Sequence, residues 1–128
     1  MKRASLIARA VMAFIYLLYG LNYFFHFFHA GLPPGRAGDF EGGLIRSGYF
    51  FEYMKGMQIA AGIMLFTNRY VPFILVIMFP VSINIFLFHI FLLTRGIIVA
   101  TILIWANSFL LYVYRKYYTR LLIPAATV

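Results

Sequence analysis

Four apolar runs, broken by short polar or glycine-rich stretches, divide the chain at roughly residues 6–29, 47–67, 70–93 and 96–118. A helix that crosses a bilayer needs about 20 mainly apolar residues at ~1.5 Å rise each, and each run reaches that length. The second does so only with help. Its uncharged part, residues 56–68, must be extended outward through Lys55 and Glu52, which places both charges inside the membrane boundary. The breaks at Asn68-Arg69 and Thr94-Arg95 are tight and force antiparallel neighbours. The pattern therefore predicts one all-α domain over residues 1–128, an integral membrane four-helix bundle of up-down-up-down topology. Residues 30–46 read as the one long outer loop, with Pro33, Pro34, Gly35, Asp39 and Glu41; its Phe40, Leu44 and Ile45 would let it lie as a lid on the bundle.

Composition strengthens this reading. Of 128 residues 64% are hydrophobic and 11% charged, with a mean hydropathy of +0.90, values foreign to a soluble domain of this size. The net charge of +8 does not point to nucleic acid, because the cations flank apolar runs rather than forming a stripe. A lipid bilayer is the expected partner. Lys2, Arg3, Arg9, Arg69, Arg115, Lys116 and Arg120 fall on one side, against Arg36, Arg46 and Arg95 on the other. The excess predicts cytoplasmic N- and C-termini and an outward-facing loop. Tyr70, Tyr114, Tyr117 and Tyr118 would form the inner aromatic belt. The basic start followed by an apolar stretch imitates a signal peptide but is too long for one, so it reads as a retained first span. With no cysteine, thiolate nucleophiles, zinc-thiolate sites and iron–sulfur clusters within the chain are excluded.

Against this apolar background the polar residues stand out. Counted inward from the outer ends of the spans, His26, His29, Glu52, Lys55, Asn84 and His89 all lie within roughly 0–14 Å of the outer surface. Ionisable groups in hydrocarbon are costly unless paired or wetted, so such a cluster is where function is sought. Asn22, His26 and His29 share a face at i, i+4, i+7. Glu52 and Lys55, at i and i+3, are expected to pair, and Gln58 continues the second helix inward. A shallow interfacial ion pair with Lys55 snorkelling outward is the bland alternative. Asn84 and His89 are about 140° apart on an ideal helix, and Pro80 in the same span can kink it and re-aim the residues beyond. The fourth span carries Thr101, Trp105, Ser108 and Tyr112 on one face with Asn107 beside it, and Gly56 and Ala60 form a small-xxx-small pair suited to close packing.

No nucleophilic triad, phosphate-cradling loop or metal motif of usable specificity appears. His26 and His89, on different spans at similar depth, are the two groups that could approach a haem iron from opposite sides. The one pair within a span, His26-x-x-His29, is a weak metal signal, and haem is not the expected cofactor.

The residues Gly48-Tyr49, Lys55-Gly56-Met57-Gln58, Gly62, Leu65, Asn68-Arg69-Tyr70, Pro72, Pro80, Asn84-Ile85 and Phe88-His89 together resemble the DoxX family of small four-helix bacterial membrane proteins. The resemblance covers the second and third spans and is otherwise one of topology. It implies a bacterial inner-membrane location and a small subunit associated with quinone-linked oxidoreductases. Many members carry glutamate where this chain has Gln58, a departure that would pass any carboxylate role to Glu52. The resulting expectation is a binding protein or redox-associated subunit, with other membrane redox subunits as partners. Its outer-half cavity would take a small lipophilic molecule such as a quinone, with His26, Lys55, Asn84 and His89 donating, Glu52 relaying protons, and Asn22 and Gln58 beside them. The alternative is a non-catalytic membrane subunit or assembly factor whose polar groups only fix helix register. Whether the chain catalyses anything, and whether it forms a homo-oligomer, stays open at this level.

Overall fold

The computed structural model describes residues 1–28, 31–125 and 127; the candidate residue His29, with Ala30, Ala126 and Val128, lies outside the described residues. Among the described residues five α-helices make up the fold: α1 (Lys2–Phe25), α2 (Gly35–Arg46), α3 (Phe50–Thr67), α4 (Val71–Phe91) and α5 (Ile97–Val113), followed by a 3-10 turn at Arg115–Tyr117. Among the described residues there is no β-strand. The protein is all-helical, as the runs predict.

Local chemistry sets the helix ends. α1 stops where His26 turns left-handed (φ 56) and donates its backbone N–H to the Asn22 carbonyl. α3 stops at left-handed Asn68 (φ 59), a residue that tolerates this conformation better than most. Pro72 sits in the first turn of α4, where its missing N–H costs nothing. Side-chain bonds then confirm the antiparallel order. Arg9 near the start of α1 donates to Asn68 at the end of α3, and Tyr23 near the end of α1 donates to Glu52 at the start of α3. Tyr118, beyond α5, donates to the Pro72 carbonyl at 2.9 Å.

The long helices close a ring in which α1 packs on α3, α3 on α4, α4 on α5 and α5 on α1. Met12, Tyr16, Leu65, Leu75, Met78, Leu103 and Leu110 fill its centre. α1 and α3 approach most intimately through two glycines. A Cβ on Gly62 would lie 2.5 Å from Leu17, and one on Gly20 2.7 Å from Ile59. The close packing expected of Gly56 and Ala60 is not there, since both are exposed and a Cβ on Gly56 would meet nothing.

One buried polar layer crosses the ring. Tyr16 Oη lies 2.5 Å from Ser82 Oγ, and Asn107 Nδ2 donates to the same Ser82 oxygen at 2.9 Å. Asn107 is fully buried, and its Oδ1 has no partner among the described residues. The neighbouring residues of α5 singled out by sequence face the other way, with Trp105 70% and Tyr112 56% exposed.

Phe14, Ile63, Phe66, Phe73, Ile90, Ile98 and Trp105 lie exposed on the outer faces of the long helices. Soluble monomers rarely display apolar surface so widely. Two helices, α1 and α4, are long and apolar enough to cross a membrane, while α5 is apolar but 17 residues long. The segment expected to be an outer loop is instead largely helix α2. It docks on the bundle through Phe40, whose ring centroid lies 5.7 Å from that of Phe88, and through Arg36, which donates to the Phe91 carbonyl at 3.3 Å.

Candidate functional site

α2 roofs a cavity of about 1040 Å³ at one end of the bundle, the end that also holds the start of α3 and the α4–α5 turn. It is somewhat larger than a drug-sized pocket needs to be. α3 supplies Phe51, Met54, Lys55 and Gln58, α4 supplies Asn84, Ile85, Phe88 and His89, and α1 supplies Ile15, Tyr19, Asn22 and Tyr23. His26 and Leu32 come from the α1–α2 connection, Phe40, Glu41, Leu44 and Ile45 from α2 itself. The deepest polar residue on α3 is Gln58, about 12 Å along the helix from its start at Phe50. Below it the Tyr16–Ser82–Asn107 layer and the packed apolar core take over, and none of those three residues lines the cavity.

Of the seven candidate residues, Asn22, His26, Lys55, Gln58, Asn84 and His89 come together on this cavity, and Glu52 does not. Glu52 is exposed and accepts a hydrogen bond from Tyr23 Oη at 2.9 Å. The expected Glu52–Lys55 pair is absent. The lysine instead turns inward, its Nζ 5.3 Å from the centroid of the Phe51 ring; the two residues are only about 60° apart around α3, and the cavity edge falls between them. Its electrostatic partner is Glu41 on α2. Burial raises the Glu41 carboxyl above its ordinary value, while the charges of Lys55 and His89 oppose that rise.

The other polar residues differ in how far they are committed. Asn22 Oδ1 accepts the Phe28 backbone N–H at 2.8 Å and so helps to close the end of α1. His89 Nδ1 lies 3.0 Å from the Leu93 carbonyl, which can only accept, so the proton sits on Nδ1 and Nε2 is left for another partner. Gln58, 3% exposed, and Asn84 have no hydrogen-bond partner among the described residues. No group of three or more histidine, aspartate or glutamate side chains that could hold a metal occurs among the described residues.

No family model, curated protein or solved structure matches this chain. The cavity itself therefore carries the functional argument.

Sequence reasoning placed Tyr19 on the Asn22–His26 stripe, and it lines the cavity; it passed over Glu41, Arg95 and Tyr23, which do so too. Glu41, Leu44 and Ile45 stand at i, i+3, i+4, a one-face helical signature that becomes visible once residues 35–46 are taken as helix. Chemically the cavity offers apolar and aromatic walls, a cation and a carboxyl within electrostatic reach of each other, and two uncommitted carboxamides, Gln58 buried and Asn84 exposed. That combination suits hydrogen bonding and proton exchange with a lipophilic guest.

Proposed function

We propose that the chain is a polytopic membrane protein in which α1, α3, α4 and α5 all cross the bilayer, and that the cavity under α2 binds a small, quinone-like lipophilic molecule. The observation that carries this reading is the inward turn of Lys55 into an aromatic-walled cavity faced by Glu41. A cation at that depth is costly unless a partner or a guest uses it. The exposed apolar residues around the long helices support the bilayer as solvent, with α3 and α5 crossing as members of the ring rather than alone. The resemblance of α3 and α4 to the DoxX family supports a bacterial inner-membrane setting beside a redox complex. The surplus of basic residues at the end opposite α2 supports cytoplasmic termini. In this reading Lys55 hydrogen-bonds an oxygen of the guest with His89 beside it, and Glu41 takes the proton-exchanging role that the sequence alone assigns to Glu52.

The test is the content of the purified protein. Organic extracts of protein prepared in mild detergent should contain a hydrophobic small molecule in near-stoichiometric amount, lost in Lys55→Met, and the visible spectrum should show no Soret band. Extracts indistinguishable from the bulk lipid control, from protein that co-purifies with a larger complex, would replace this reading with that of a non-catalytic subunit. A Soret band lost in both His26→Ala and His89→Ala would replace it with a haem protein.

A further inference from the structure

A carboxamide withdrawn from water loses its solvent hydrogen bonds, and a folded protein ordinarily replaces them. On this cavity Gln58 and Asn84 have no partner among the described residues, and of the two Gln58 is the buried one, its carboxamide open to the cavity alone. It is 3% exposed, lines the cavity and has no hydrogen-bond partner among the described residues. Lys55 lies one turn nearer α2 on the same helix and lines the same space. Side chains three residues apart on a helix have Cβ atoms roughly 5–6 Å apart, and the long Lys55 stem can carry its ammonium farther from Gln58 than that, so the two polar ends can span a flat one- or two-ring guest. Phe51, Phe88, Met54 and Ile85 wall the cavity with apolar and aromatic surface. The polar groups thus form two levels with a hydrophobic slot beside them.

We propose that the cavity selects a flat ring with an oxygen at each of two opposite ends, one hydrogen-bonded by Gln58 at the floor and the other by Lys55 nearer α2. This rests on the reading that the cavity takes a small lipophilic guest, and it adds which end of the guest goes where. The two levels ask for different things. A lysine ammonium only donates, so the upper oxygen must accept, with the Glu41 carboxyl alongside to receive a hydroxyl proton. A carboxamide both donates and accepts, so the floor takes either a carbonyl or a hydroxyl. A single-headed amphiphile satisfies this arrangement poorly. Its head would go to Lys55 and its tail to the floor, leaving Gln58 against an alkyl chain with nothing to bond. Sites built to hydrogen-bond a group discriminate strongly against analogues that lack it.

The full chain reconstituted in nanodiscs, with empty nanodiscs as the partition control, can be titrated with 2,6-dihydroxynaphthalene, 2-naphthol and naphthalene. The diol should bind roughly three- to tenfold more tightly than 2-naphthol, the range of one net hydrogen bond. Gln58→Leu should abolish that advantage and leave 2-naphthol binding within about twofold of wild type. Gln58→Asn, which keeps the carboxamide and guards against a folding defect in the leucine variant, should retain part of it. Equal affinities for diol and 2-naphthol on the wild type, or a loss in Gln58→Leu that is the same for both, overturns the proposal while sparing the cavity. Binding of none of the three above the control overturns the cavity reading itself.

Discussion

Among the described residues Ser82 is the only hydrogen-bond partner of two other buried polar side chains, Tyr16 and Asn107. Ser82→Ala strands both at once, and each buried group left without a bond costs roughly 1–3 kcal/mol. Tyr16→Phe removes one bond and should cost only about 1 kcal/mol. Asn107 already carries an unpaired oxygen, so Asn107→Leu, close in volume, should leave stability unchanged or raised. Thermal unfolding in detergent should therefore rank the variants with Ser82→Ala lowest and Asn107→Leu highest; a lower midpoint for Asn107→Leu than for Ser82→Ala would show that the layer is not organised around the serine. Glu52 makes the opposite case. It is exposed and, among the described residues, bonded only to Tyr23, so Glu52→Gln should change stability by less than about 0.5 kcal/mol. A larger loss in the same assay would restore it to the site. Residue type and spacing made the candidate set visible, yet they could not say which way a side chain faces. Glu52 and Lys55 are one turn apart, and the difference between water and cavity lies in how α3 is rotated against α1, which depends on the glycine contacts at Gly20 and Gly62.

At the scale of elements, the four apolar runs were legible because each is long and punctuated by a turn that chemistry recognises, as at Asn68 and Gly96. α2 was hidden. Glycines at 35, 38, 42 and 43 argue against a helix, each costing about 1 kcal/mol relative to alanine in a helix interior. Packing overrides that propensity, and at Gly38 the packing explains the residue, for a Cβ there would lie 2.0 Å from the Pro33 carbonyl oxygen. A helix so poor in intrinsic stability is held by what it touches. Its docking should follow the protonation of Glu41, whose carboxyl is raised above the ordinary 4.5 by burial, against the attraction of Lys55 and His89. The docked state prefers the neutral acid, so this contribution is complete below the unfolded value and is lost as pH rises through the folded one. Hydrogen exchange at α2 amides, corrected for intrinsic rates, should show protection falling as pH rises above about 4.5, and Glu41→Gln should flatten the profile. Protection that grows with pH would mean that the attraction of Lys55 and His89 outweighs desolvation.

For the molecule as a whole, the absence of cysteine among its residues makes the proposed orientation easy to test. Gly43 is exposed and a Cβ there would meet nothing, and Thr119 is exposed at the opposite end. On intact cells a membrane-impermeant maleimide should label Gly43→Cys and spare Thr119→Cys until the cells are opened. The reverse pattern would invert the protein and move the cavity to the cytoplasmic half. The shape of that cavity has one more implication. It ends above the Tyr16–Ser82–Asn107 layer and the packed core instead of continuing through the bundle. A guest must then leave by the route it entered, and a proton exchanged at Glu41 returns to the water it came from. A charge carried fully across a membrane exchanges about 2.3 kcal/mol per 100 mV with the potential, but traffic confined to one face crosses little of that drop. On the proposed reading, guest binding and proton exchange at this site should be electrically silent and indifferent to whether the cell is energised.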